Sequence, residues 1–373
     1  MSSPYRLMFR IAPATIAQSV ISHDNATKAN LQVPQSSPSK RKNMRAVVCR
    51  EISEDIDTLV IEDIDTPSPY ADEVLIGIRA CSVNFPDILM VQGKYQFKPD
   101  LPFTPGMEVA GDVLEVGSNV ENVSVGHRVM ASTPIGGYAE AVVAPADAVR
   151  KIPESLGYDA AAALPAAYNT AYVSLVRRGD LQPGETLLVH GATGGVGLAA
   201  VELGKYLGAT VIATGGTDEK LKVVMEKGAD HVINYTREDG SQGGFRERVK
   251  ELTGGKGADV IYDPVGGDVF DESVRCIAWG GRLLVIGFTS GRIPTVPVNM
   301  PLIKGFSVVG VRAGEFGRRN PALGKENIET VIRWASEGKL NPHICSTFPL
   351  DRSVEAMQML ANRKVVGKVV INP

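Results

Sequence analysis

Thr186-Leu-Leu-Val-His-Gly-Ala-Thr-Gly-Gly-Val-Gly197 is an apolar run of strand length that breaks into glycines at positions 194, 195 and 197. The next stretch, Leu198-Ala-Ala-Val-Glu-Leu-Gly-Lys-Tyr-Leu207, spaces its apolar residues as a helix does. Strand, tight turn and helix in that order predict a dinucleotide-binding βαβ unit. A turn without side chains lets the backbone approach a pyrophosphate, and the free N–H groups of the helix start favour its charge. Gly194, Gly195, Val196 and Gly197 are therefore the expected pyrophosphate lining. Ala192 stands where the first glycine of the usual pattern would be. Taken alone, the motif also fits a tight turn in some other α/β domain.

Its surroundings favour the nucleotide reading. A second strand, Thr210-Val-Ile-Ala-Thr214, arrives about twenty residues later, at the spacing such units use. His231-Val-Ile-Asn-Tyr235, Asp259-Val-Ile-Tyr-Asp263 and Arg282-Leu-Leu-Val-Ile-Gly287 follow as further strands. Strands alternating with helices imply a doubly wound parallel sheet of the Rossmann kind. An NAD-binding unit would carry Asp or Glu at the end of its second strand, for the ribose 2′-hydroxyl. Here that place holds Thr214, Gly215 and Gly216, and Lys220 follows within a helical turn; Thr214, Gly216 and Lys220 are the expected cofactor contacts there. No acid repels a 2′-phosphate there, so NADPH is expected over NADH. Asp218 and Glu219 are read as favouring a helix N-terminus.

Outward from this unit the texture changes. Residues 44–150 hold short β-rich runs, among them Met44–Cys49, Glu73–Arg79, Glu108–Val116 and His127–Met130, punctuated by Pro, Gly and Asn. They read as a compact β-barrel-like domain. Ala160–Val176 is alanine-rich and reads as a helical join between the domains. Helices are expected over about 328–337 and 353–360, then a strand over Lys368–Asn372. Residues 1–43 carry six Lys or Arg against one acid, Asp24, with many serines. That composition suggests a mitochondrial presequence, with a disordered cytoplasmic tail as the alternative.

The whole chain has 373 residues, 44% of them hydrophobic, and a net charge of −3. Two domains are expected. No apolar run approaches the ~20 residues of a membrane span. The near-neutral balance argues against a dedicated nucleic-acid binder. Cys49, Cys81, Cys276 and Cys345 stand far apart, and no pair has the CxxC spacing of a zinc lobe or redox dithiol.

The β-rich front and the nucleotide unit together resemble the medium-chain dehydrogenase/reductase superfamily, in its zinc-free quinone oxidoreductase (zeta-crystallin) branch. The stretches that carry the resemblance are Ser82-Val-Asn-Phe-Pro-Asp-Ile-Leu89, Leu101-Pro-Phe-Thr-Pro-Gly-Met-Glu-Val-Ala-Gly111, Gly136-Gly-Tyr-Ala-Glu140, Val265-Gly-Gly-Asp-Val-Phe270 and Arg363-Lys-Val-Val-Gly-Lys-Val-Val370. It covers residues 44–373. It implies a GroES-like catalytic domain over 44–165 and 312–373, a Rossmann domain over 166–311, and an active site in the cleft between them. Zinc-dependent relatives place a ligand Cys and a ligand His where this chain has Asn84 and Met107. Losing a thiolate and an imidazole leaves too few ligands for a catalytic zinc, so no metal is expected.

The resemblance also assigns Tyr235 and Arg363 to the cofactor, and Thr170 with the Gly287–Phe288 backbone to its nicotinamide end. For Thr170 the alternative is a hydroxyl bonded to its own helix backbone. Around the acceptor the candidates are Asn84, Asp87 and Tyr95. Asn84 is expected to orient the nicotinamide ribose or an acceptor oxygen. Tyr95 is read as a hydroxyl for a quinone or enone oxygen, with simple packing as the alternative. Asp87 is read chiefly as a cap on a helix beginning at Ile88. The implied activity is an NADPH-dependent transfer of hydride to a quinone or an α,β-unsaturated carbonyl. The alternatives are an enoyl thioester reductase, or a low-turnover nucleotide-binding protein with a structural or RNA-binding role. A homodimer is expected, paired through an edge strand near Gly305–Val311.

Overall fold

The computed structural model describes residues 43–373, and all structural statements concern these. The presequence expectation therefore lies outside the described residues, apart from Asn43, which already belongs to the first strand. No described helix is long and apolar enough to cross a membrane.

The first half builds strands with one buried face. β1 (Asn43–Val48) and β2 (Val60–Asp65) form an antiparallel pair. β3 (Glu73–Ser82), β4 (Glu108–Val116), β5 (Arg128–Ser132), β6 (Ala141–Pro145) and β7 (Val149–Lys151) form, beside that pair, the body of the first sheet. β3 is its spine, antiparallel to both β4 and β6. Val74, Ile76 and Ala80 of that strand are fully buried. Strand β3 runs three residues past the expected Arg79, because Ala80, Cys81 and Ser82 are also packed inside.

The nucleotide unit follows as expected. β8 (Thr186–Val189), β9 (Thr210–Gly215), β10 (His231–Asn234), β11 (Ala258–Asp263), β12 (Ile277–Val285) and β13 (Ser307–Gly310) form a six-stranded parallel sheet in the order β10-β9-β8-β11-β12-β13. The order reverses between β8 and β11, and the crevice beyond the carboxyl ends of those strands is where such sheets bind ligands. Strand β12 begins five residues earlier than expected. It absorbs Trp279-Gly280-Gly281 as an irregularity between the pairs Ala258–Ile277 and Val260–Arg282.

β14 (Ile344–Pro349) and β15 (Lys368–Asn372) return to the first sheet, where β15 pairs antiparallel with β3. Between them lies the helix Ser353–Ala361. The single helix expected over 160–176 is instead two, Tyr158–Ala163 and Pro165–Tyr172, followed by a π-turn segment over Val173–Arg178. Pro165 is the cause: it has no N–H and its ring opposes continuation, so the helix restarts with Pro at its first position. The helix Pro321–Ser336 also begins on a proline, seven residues before the expected start. Its Val331 and Ala335 lie in the same buried cluster as Tyr172, Leu187 and Val201. Ala80, Ala110 and Val370 of the first sheet join that cluster too, so apolar packing is continuous across the join.

Candidate functional site

Strand β8 ends at Val189, and the chain turns through Gly191, whose φ of 54° favours glycine. Gly194 caps the helix Gly195–Tyr206 in an extended conformation. A Cβ on Gly197 would lie 2.3 Å from the Gly191 carbonyl oxygen, so this close approach of helix to turn requires glycine. Val196 packs its side chain against the core and leaves only its backbone for a ligand. Ala192, in place of the usual first glycine, buries its methyl completely and donates its N–H to the Thr214 carbonyl. The arrangement leaves first-turn N–H groups free at the crevice.

The second strand corrects one expectation. Thr214 does not face the cofactor with its side chain. It is fully buried, and its Oγ1 lies 2.9 Å from Nδ1 of His190, whose Nε2 is 2.8 Å from Ser273 Oγ. Successive residues of a strand alternate faces, and Thr214 shares the face of Ile212, which packs with Leu188 and Phe245. Burial pushes His190 down to about 3, so it is a neutral core histidine. Gly216, just beyond the strand, is half-buried. Thr217 caps the helix Asp218–Glu226, with Asp218 and Glu219 in its first turn. Asp218 also accepts a bond from Asn234 Nδ2 at 3.0 Å.

Three residues far apart in sequence meet beside this strand end. The Lys220 ammonium donates to the backbone carbonyl of Arg363. Tyr235 is 5% exposed; burial pushes its hydroxyl up to about 12, and the Arg363 charge pulls the other way. Arg363 adopts φ 54°, unusual for a non-glycine residue, and is exposed. Its Nη2 reaches the Thr289 carbonyl at 3.3 Å, tying it to the loop after β12. That loop carries Gly287, half-buried, and Phe288, 40% exposed, near Gly266. Thr170 is half-buried in the helix Pro165–Tyr172, and its hydroxyl makes no hydrogen bond among the described residues. A hydroxyl bonded to its own helix is thus not what the structure has.

The first domain contributes a buried polar cluster. The helix over this stretch is Phe85–Val91, three residues earlier than expected, because Pro86 fits the first turn. Asn84 is its N-cap, and Asp87, inside the helix, accepts the Asn84 N–H at 2.8 Å. Asp87 is fully buried and also accepts the Tyr138 hydroxyl at 3.0 Å. The Asn84 amide is committed inward. Nδ2 donates to Glu108 Oε1 at 2.7 Å and to the Ser82 carbonyl at 3.2 Å, while Oδ1 accepts from Lys368 Nζ at 2.7 Å. Both donors are used, so Asn84 has no hydrogen to offer an acceptor oxygen; only its oxygen can take a further bond. Of its two expected roles, the ribose one is compatible with this geometry. Tyr95 is half-buried against the core of the first sheet, and its hydroxyl makes no hydrogen bond among the described residues.

Sequence reasoning misses Glu108, Lys368 and Tyr138. The available signal is a charge at the rim of an otherwise apolar strand: Glu108 opens β4, and Lys368 opens the run Val369-Val-Ile371. Lys368 Nζ lies 3.0 Å from Glu108 Oε1, and the two side chains are 7% and 1% exposed.

Burial pushes the Asp87 carboxyl up to about 7 from an ordinary value of 3.8, opposed by its bonds from Asn84 and Tyr138. The unfolded chain therefore ionises first. Stability from this group is complete below about 4 and is lost as pH rises to about 7. Asp87→Asn keeps an oxygen for both donors and removes the titration. Its melting temperature should rise relative to the parent between pH 5 and pH 7, by several degrees, and hold steady above. A difference constant with pH would refute this.

The donors do not suit a metal. Asn84 and Met107 are neutral and weak ligands, and the Glu108 carboxylate is taken by the Lys368 ammonium. Among the described residues no group of three His, Cys, Asp or Glu stands together as a metal site. All four cysteines are free; Cys345 is half-buried and the others are buried. The nucleotide turn, by contrast, fits a dinucleotide: Gly195 and Gly197 let the helix start pack directly on Lys368 and on the Gly191 backbone, so that backbone N–H groups rather than side chains face the crevice.

Two family models match this chain. Residues 70–154 match the alcohol dehydrogenase GroES-like domain, and residues 195–337 match a model described as zinc-binding dehydrogenase. A quinone oxidoreductase-like protein 2 homolog of Nematostella vectensis is 42% identical, over 98% of this chain and 98% of that one. The quinone oxidoreductase of Homo sapiens is 34% identical, over 89% of this chain and 98% of its own length. Among solved structures, a mycobacterial protein in complex with NADPH superposes with a TM-score of 0.80 at 32% identity, covering 88% of this chain and all of that one.

Proposed function

We propose that this chain, which belongs to the medium-chain dehydrogenase/reductase superfamily alongside the quinone oxidoreductase-like 2 proteins, is a zinc-independent NADPH-dependent reductase of quinones or α,β-unsaturated carbonyls. The relatives and the fold make the chain an oxidoreductase of this family. The NADPH assignment rests on a single observation. Lys220, Tyr235 and Arg363 converge beside the end of β9, where Gly215 and Gly216 replace the acid that an NAD ribose would need. The bound cofactor supplies the hydride; the protein supplies placement.

The residues divide that placement between them. The Gly194–Gly197 turn holds the pyrophosphate with backbone N–H groups. Lys220 and Arg363 hold the 2′-phosphate. Thr170 and the Gly287–Phe288 backbone bound the nicotinamide, and the Tyr95 hydroxyl bonds the acceptor oxygen as it gains electrons. Hydride transfer to a conjugated acceptor needs only modest charge stabilisation at oxygen, so no Lewis acid is required.

The test is NADPH oxidation measured with a panel of quinones, enals and enoyl-CoA thioesters. Turnover with quinones or enals supports the reading, turnover confined to enoyl-CoAs moves it to the thioesters, and binding without oxidation makes it a nucleotide-binding protein. A second measurement bears on the cofactor. Lys220→Ala should weaken NADPH binding by ~10- to 100-fold, the loss of one charge-assisted contact, and leave NADH binding within about twofold by that same logic. Equal losses for both would remove Lys220 from the 2′-phosphate.

We also propose a homodimer joined through β13. This strand ends the sheet, with Ser307, Val308 and Gly310 exposed. Beside it Trp279, Leu302 and Ile303 are 78%, 79% and 65% exposed, an apolar margin that favours a covering partner.

A further inference from the structure

We infer that Lys368 and Glu108 are positioning residues for the nicotinamide half of the cofactor: they hold the Asn84 amide so that only its oxygen is offered to a ligand, and they tie that amide to the nucleotide turn. The inference rests on the NADPH reading above and assigns roles to two residues outside it.

The orientation of an amide is ordinarily a choice between two similar atoms. Here chemistry removes the choice. An ammonium only donates and a carboxylate only accepts. Lys368 Nζ at 2.7 Å must therefore face Oδ1 of Asn84, and Glu108 Oε1 at 2.7 Å must face Nδ2. Glu108 is itself fixed at its other oxygen, which accepts the Ala166 N–H at 2.7 Å in the first turn of the helix Pro165–Tyr172. A negative group is favoured there by the free N–H groups of the helix start.

The same lysine reaches the nucleotide turn. Its Cδ lies 2.7 Å from where a Cβ on Gly195 would be. The preceding residue, Gly367, forms a bridge with Gly194 and donates its N–H to the Thr193 carbonyl at 2.8 Å. Lys368 thus contacts the pyrophosphate turn with its stem and Asn84 with its head. The remaining lone pair of Asn84 Oδ1 accepts a hydroxyl, and the nicotinamide ribose carries the hydroxyls next in line after the pyrophosphate. An amide turned the other way would present N–H groups to the same hydroxyls and change the pattern they read.

The test separates position from fold. Lys368→Met alone leaves the Glu108 carboxylate buried and unpaired, and its melting temperature should fall by on the order of 10 °C. Lys368→Met combined with Glu108→Gln removes both charges, and melting should return to within a few degrees of the parent. In that double variant the new side-chain amide at position 108 keeps the Ala166 N–H with its oxygen. Its nitrogen then faces Asn84 Nδ2, donor against donor, and with the ammonium gone the Asn84 amide is held only by the Ser82 carbonyl and loses its fixed position. NADPH affinity, by fluorescence titration, should then be about tenfold or more weaker, the loss of one well-formed bond. Adenosine 2′,5′-bisphosphate, which lacks the nicotinamide ribose, should bind within about twofold of the parent by the same logic.

Asn84→Ala, which leaves the ion pair in place, should show the same split, and adding the double substitution to it should cost no further affinity. Parental NADPH affinity in either the double variant or Asn84→Ala overturns the inference alone. Equal weakening of both ligands overturns it too, by showing general damage to the nucleotide site. A parent protein that fails to bind NADPH overturns the functional reading and this inference together.

Discussion

Gly197→Ala should all but eliminate NADPH binding while the first sheet remains folded. The added Cβ would lie 2.3 Å from the Gly191 oxygen, 2.8 Å from its carbonyl carbon and 2.9 Å from Ala192 Cα. All three are backbone atoms, so no side chain can swing aside. The helix Gly195–Tyr206 must move off the turn, and its first-turn N–H groups move with it. Each charge-assisted bond to the pyrophosphate is worth about 1.5–3 kcal/mol, so losing two of them is a weakening of roughly a hundredfold or more. Overpacking adds about 1–3 kcal/mol of destabilisation, visible as a lower melting temperature. Gly157 provides the control: a Cβ there meets nothing within 4 Å, and its φ of −74° suits any residue. Gly157→Ala should leave NADPH affinity unchanged. A Gly197→Ala protein that binds NADPH within about threefold of the parent would contradict the placement of the pyrophosphate on this turn.

The second large effect is expected at the β13 edge of the same sheet. Val308→Lys should convert the proposed dimer into a folded monomer. Val308 is already 39% exposed, so a lysine there reaches solvent in the single chain and costs it little. Across a twofold axis the same change places two ammonium groups in one paired edge, and charged edges are a standard defence against strand pairing. Light scattering at micromolar concentration should give twice the chain mass for the parent and the chain mass for the variant, with melting and NADPH binding little changed. A monomeric parent would remove the dimer, and a variant that stays dimeric would place the interface elsewhere.

How much of the site was legible follows the reach of each signal. The nucleotide turn was readable because its constraints are local: glycines, a strand before and a helix after, all within a dozen residues of one another. Lys220 is readable from its place after the second strand, Tyr235 and Arg363 through resemblance, and the structure brings the three together. Thr214 misled because sequence places a residue at a strand end without saying which face it takes; its partner His190 is twenty-four positions away. The start of the helix at Phe85 was misplaced because Asp87 looks like an N-cap, whereas Asn84 holds that place and Asp87 closes the turn from inside.

The sequence by itself determined the alternation of strands and helices, the two kinds of domain and the glycine turn proposed for a dinucleotide, since periodicity and glycine spacing act over a few residues. Tertiary structure alone decided the Glu108–Lys368 pair, separated by 260 positions, and with it the direction of the Asn84 amide. Those charges sit in apolar strands that look alike from one residue to the next. Only the antiparallel pairing of β15 with β3, and of β3 with β4, brings their heads together beneath the nucleotide turn.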